Sequence, residues 1–236
     1  MDKARGAKAA LVSVAALGTI GSVGVGIGTA PAGASSPFNP AGYVVSLTDT
    51  VSHQISLTVK VPKIVCLKSE KVGDVISASI SGTTTGSAFD AAGVLVSMSC
   101  AGTTASYSAF GIVDNSHTTS TITVNSGDVL NIAVIASTSF ETASFGDATS
   151  GQGTYVDGTG FDASQGGVDV QGGTGSGGFP KFHPVNFTRV KLDNKAIARA
   201  TPTAFNQLDA DGNTQISAGP LNASGTGFTD TYVTNT

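Results

Sequence analysis

Asp169 and Gln171 stand two residues apart in GVDVQG, a stretch whose alternation of apolar and polar residues reads as a strand. Residues two apart in a strand share a face, so a carboxylate and an amide would project side by side, roughly 6 to 7 Å apart. A carboxylate can take a proton from water, and a neutral amide can stabilise the oxyanion that forms on an attacked carbonyl, so the pair could serve peptide hydrolysis. The plain alternative is a solvated Asp and Gln on an open sheet. The chain has two glutamates, Glu70 and Glu141, each beside a turn. Its three histidines are His53 opening a strand, His117 in the polar turn NSHTTS and His183 before Pro184. None has a Ser or Cys at motif-like spacing and Gly-x-Ser-x-Gly is absent, although a Ser-His-Asp triad converges only in space and leaves no such trace. Asp209, Asp211 and Asn213 in LDADGNTQI invite comparison with a calcium loop. Gly212 comes two positions too early for it and Pro220 holds the place of the closing Glu, so the segment reads as a hairpin turn. The sequence implies no metal and no cofactor.

The elements that must position these groups are strands. Short apolar-polar runs recur between turn residues, among them 42–47, 53–61, 74–80, 94–99, 104–113, 120–124, 128–137, 141–149, 167–172, 185–192, 213–218 and 227–233. In the second run Ile55, Leu57, Val59 and Val61 alternate with Gln54, Ser56, Thr58 and Lys60, so one face is buried. No apolar period of 3.6 extends beyond two turns after residue 34, which predicts an all-β sandwich or barrel with almost no helix. Residues 146–178, rich in Gly, Ser, Thr and Asp and containing GGTGSGG, read as one flexible loop.

Composition bounds the partners. Charged residues are 12% of the chain and the formal net charge is −4, too sparse and too acidic to neutralise many phosphates, which argues against nucleic acid. Lys3, Arg5 and Lys8 precede an apolar stretch from Ala9 to Ala30 that ends in APAGA, so residues 1–34 read as a cleavable secretory signal and 35–236 as a single domain. The expected mature protein is extracellular and free of membrane. For Cys66 and Cys100 in an exported chain the simplest reading is one disulfide, with two buried thiols as the alternative. Such a bond would close a loop of about 35 residues and contribute roughly 3 to 4 kcal/mol in the chain-entropy account.

Taken in order, NPAGYVV, ISLTVKVPKIVC, SCAGTTASYSAF, ITVNSGDVLNIAV, VNFTRVKLDNKAI and GFTDTYV resemble successive segments of the eqolisin, or glutamic peptidase, family over nearly the whole mature length. The resemblance implies a two-sheet antiparallel β-sandwich, concanavalin A-like, with a groove on its concave side. A disulfide between Cys66 and Cys100 fits the one that bacterial members share. The resemblance also implies a catalytic Gln and Glu, and here the chain departs from the pattern. The position seven residues ahead of Cys100 is Gly93, and the position that follows Val168-Asp169-Val170 is Gln171. The family's tryptophans are missing as well: the chain has none, and Pro40 or Ala41, roughly Ser77, Phe110 and Val168 stand at those points. Gln171 has no proton-accepting carboxylate and Gly93 no side chain. Three functions follow as expectations: an impaired relative that binds a peptide or protein in the groove, an active glutamic-type endopeptidase whose pair lies elsewhere, for instance at Asp169, or a carbohydrate-binding module. The last is poorly equipped, since sugar sites lean on exposed aromatic platforms.

Overall fold

The computed structural model describes residues 40–48, 51–67, 73–84, 89–114, 117–172, 181–208 and 212–233. The expected signal at 1–34, Glu70, the tract at 173–178 and Asp209 with Asp211 lie outside these residues. In chain order the described strands are β1 (Ala41–Ser46), β2 (His53–Lys60), β3 (Ile64–Val65), β4 (Gly73–Thr83), β5 (Phe89–Ala101), β6 (Thr104–Val113), β7 (His117–Thr123), β8 (Val129–Ala136) and β9 (Glu141–Asp147). There follow β10 (Gly153–Gly158), β11 (Asp162–Gly172), β12 (Lys181–Phe182), β13 (Val185–Leu192), β14 (Lys195–Ala196), β15 (Thr203–Phe205), β16 (Gln207–Leu208), β17 (Thr214–Ala218) and β18 (Phe228–Tyr232). Among the described residues the helical content is a single 3-10 turn, Ile197–Ala200, and no helix is long and apolar enough to cross a membrane.

One sheet runs β15-β1-β11-β4-β5-β6-β7 and the other β10-β9-β8-β2-β13-β18-β17-β16, with β14 beside β13 and a separate β12-β3 pair. Every neighbouring pair is antiparallel. The period-two patterning explains how the sheets face each other. Ile76, Ile80, Val94, Val96, Val168 and Val170 of the first sheet and Ile55, Leu57, Val59, Leu130 and Val134 of the second are buried in one apolar cluster. Full burial of each such side chain contributes about 1.5 to 3 kcal/mol. Tyr43 of β1 joins the sheets, its ring 4.7 Å edge-on from Phe228, which stacks at 4.6 Å on Phe187. The Tyr43 hydroxyl donates to the Gly219 carbonyl at 3.0 Å. Cys66 and Cys100 form a disulfide with their Cα atoms 5.5 Å apart, tying the segment after β3 to the end of β5.

The reading of 146–178 as one loop is corrected, because β10 and β11 lie within it. Some of the described glycines there make room for packing. A Cβ on Gly166 would come within 2.6 Å of Ile55 Cδ1 from the opposite sheet, so the missing side chain makes room for an isoleucine of the core. The hairpin expected at 208–216 is present as the β16–β17 pair, with Gly212 at φ 84°.

Candidate functional site

With Val168 and Val170 of β11 turned into the core, Gly167, Asp169 and Gln171 face outward from the seven-stranded sheet. Ser77 of β4 and Leu95 of β5 share that outer face, alternating with the buried Ile76, Ala78, Val94 and Val96. Register fixes who meets whom. Asp169 lies across from Gly42 on one side and Ser77 on the other, and Ser77 lies across from Leu95. Gln171 is in line with Val75 and Ser97, whereas Gly93 is in line with Ser79 and Gly167. Gly93 and Gln171 are therefore two strands and four residues apart, about 16 Å by ordinary strand spacing. The fold does not bring these two positions together. It does place Asp169 and Gln171 on one face.

Asp169 is only 8% exposed. Gly42 makes this possible: at φ +150° its backbone presses against β11 so closely that a Cβ would lie 2.2 Å from the Val168 carbonyl oxygen and 2.9 Å from Asp169 Cβ. Burial pushes the Asp169 carboxyl up to about 7, against a hydrogen bond from the Ser77 side chain that favours the charged form. Asp230 of β18 is fully buried, and neither of its carboxylate oxygens has a hydrogen-bond partner. Burial, reinforced by the charge of Asp169, pushes Asp230 up to about 9, so it keeps its proton at neutral pH. Asp169 is accordingly neutral under acid conditions and becomes a proton acceptor only near neutrality. Gln171 stays an amide throughout, and Gly93 contributes no donor side chain.

Other groups singled out in the sequence have structural roles or lie elsewhere. His53 is buried, with Nδ1 3.0 Å from Asp193 Oδ2, and the same carboxylate accepts the Gln54 N–H at 2.8 Å through Oδ1. His183 is exposed beside β12, and His117 begins β7 rather than standing in a turn. Glu141, read as a turn neighbour, opens β9 and is fully buried beside Asp90 and Asp114, with one carboxylate oxygen of each within 4.8 Å of the others. Its spacing from Ala143 and Phe145 was the available signal, since all three share the inward parity of β9. Among the described residues these three acids form a group that could hold a metal ion. A hollow of about 490 Å³ lies on the second sheet instead, over β8, β9 and β10, lined by Asn131, Thr142, Ser144, Thr154 and Tyr155. Tyr155 is 64% exposed there.

No protein-family model matches the sequence, and no curated protein matches it significantly. Solved structures do. Scytalido-glutamic peptidase, in complex with a peptide-based transition state analog, superposes with a TM-score of 0.63 at 19% identity, covering 83% of this chain and 98% of that one. SCP-B, a member of the eqolisin family in complex with the tripeptide Ala-Ile-His, gives 0.61 at 19% identity with the same coverage. Aspergilloglutamic peptidase from Aspergillus niger gives 0.51 at 20% identity over 68% of this chain and 99% of that one. The chain has the glutamic peptidase fold, as its ordered segments led one to expect. At such identities the likeness is one of architecture, and the chemistry rests on the residues.

Proposed function

We propose that the protein is a secreted, catalytically impaired relative of the glutamic peptidases that binds peptide segments on the outer face of its seven-stranded sheet without cleaving them. The observation that carries this reading is the separation of Gly93 from Gln171 by two strands and four residues; the resemblance sets Gln171, an amide, at the place of the family's acid. An amide cannot accept the proton of the attacking water, and loss of even one oxyanion donor costs on the order of a hundredfold to a thousandfold in rate. Peptide is the ligand class because two solved relatives of this fold hold a peptide-based analog and a tripeptide. Ser77, Leu95 and Gln171 supply a mixed apolar and hydrogen-bonding surface around Asp169.

To test it, the immobilised protein is exposed to a pool of short casein peptides, and the retained and unretained fractions are read by mass spectrometry. Retained peptides should be intact, and Leu95→Arg, which places a long charged side chain on this face, should abolish retention. Absence of retention, or the appearance of new peptide termini, contradicts the proposal.

A second reading keeps hydrolysis but moves it to Asp169, favoured by a carboxyl near neutral pKa beside Ser77 and on the face of Gln171. Its signature is activity that rises with pH through about 7 and vanishes in Asp169→Asn.

A further inference from the structure

Four segments distant in sequence meet at the end of the sandwich where β5 and β9 begin: Asp90 in β5, Asp114 just after β6, Glu141 opening β9, and Thr159 between β10 and β11. Main-chain donors fix the group. Asp114, in the left-handed region at φ 48°, donates its N–H to Glu141 Oε1 at 2.6 Å. Thr159 donates to Asp114 Oδ1 through its N–H at 3.0 Å and also through its hydroxyl. The Ala91 N–H donates to Asp90 Oδ1 at 2.8 Å. Asp90 is 3% exposed and Glu141 0%. Glu141 Oε2 is different: it is completely buried and has no hydrogen-bond partner. An acceptor left in that state costs on the order of 1 to 3 kcal/mol.

Burial is the largest influence on the Glu141 carboxyl, and the charges of Asp90 and Asp114 add to it, pushing it up to about 8. A buried carboxylate oxygen without a donor, beside two further acids, is a place for a cation. Oxygens that share a hard cation at 2.3–2.6 Å lie no more than about 5 Å apart, and the three acids offer oxygens within 4.8 Å of one another. We propose that Asp90, Asp114 and Glu141 together hold one divalent cation, calcium, between the starts of β5 and β9 and the turn after β6. Calcium suits the place better than magnesium, because it accepts irregular sets of protein and water oxygens whereas magnesium demands a near-octahedral shell and keeps its waters. Water or main-chain oxygens complete the shell.

The full chain, stripped with EDTA and dialysed, is titrated with calcium chloride at pH 7 by calorimetry, and its melting temperature is compared in calcium and in EDTA. One saturable site per chain is expected. At a hundredfold excess over Kd the melting temperature should rise by roughly 5 to 10 °C. Glu141→Gln and Asp114→Asn should each abolish the site. Glu141→Gln, which mimics the protonated carboxyl, should still melt as the EDTA-treated protein does. A chain that shows no saturable binding up to 10 mM and the same melting temperature in calcium and EDTA overturns the proposal. So does binding that survives both substitutions. Should both variants misfold, the titration of the unaltered chain decides alone.

Discussion

Asp169 and Glu141 are both buried carboxyl groups raised toward neutrality, yet their surroundings differ in kind. Across from Asp169 stand a glycine and a serine, with a leucine beyond the serine, and its charge acts on a single acid of the other sheet, Asp230. Around Glu141 two further carboxylates converge, one from β5 and one from the turn after β6, each held by a main-chain donor. The first place is a lone acid on an outer face; the second gathers three acids at one point. Asp147 shows that burial alone does not set the outcome. It is 2% exposed, and burial pushes its pKa up, but hydrogen bonds from Ser150 and Thr149, whose N–H groups lie at 3.2 and 2.8 Å, hold it below the usual range. What distinguishes a poised acid from an inert one here is the supply of donors.

The comparison can be broken most forcefully at Gly42. Gly42→Ala sets a Cβ against the Val168 carbonyl oxygen and should cost about 3 kcal/mol or more, read as a lower urea midpoint; a loss under about 1 kcal/mol would show that β1 and β11 are not clamped at Asp169. Next in size is Glu141→Ala, which empties a buried volume and strips the Asp114 N–H of its acceptor. A loss of about 2 to 3 kcal/mol is expected, against about 1 kcal/mol or less for Asp169→Ala; equal losses would erase the distinction between the two places.

Stability also depends on pH. Asp169, Glu141 and Asp230 have folded pKa values raised to about 7, 8 and 9, whereas in the unfolded chain such groups titrate near 4. Above pH 4 the unfolded chain therefore gives up protons that the folded one keeps, so stability falls as pH rises, until each folded pKa is passed. Each group contributes a slope of up to about 1.4 kcal/mol per pH unit. Asp230→Asn should flatten the decline between pH 5 and 8 by about one such slope; an unchanged profile in denaturant melts would mean that Asp230 ionises normally. The smallest effect is expected for Gln171→Ala, within about 0.5 kcal/mol of the parent, because a half-buried outer-face amide has little to hold.

Much of this was legible in the sequence and some was not. The alternation of Ile55, Leu57 and Val59 gave the inward face of β2, and the order of short segments gave the glutamic peptidase architecture. Parity along β11 likewise put Asp169 and Gln171 on one face. Strands β10 and β11 were obscured by their glycines, since a missing side chain that admits Ile55 looks locally like a flexible tract. The distance between Gly93 and Gln171 could not be read, because it depends on the register of β4 against β5 and β11, which no local pattern encodes. For the same reason Asp90, Asp114 and Glu141 were invisible as a group: 51 residues separate the first from the last.

Hydrolysis of denatured casein by the purified protein, followed as acid-soluble peptide at each pH from 2 to 8, tests the central claim most directly. No release above the enzyme-free blank is expected across the acid range. Steady release at pH 2 to 5 that disappears in Gln171→Ala would contradict it.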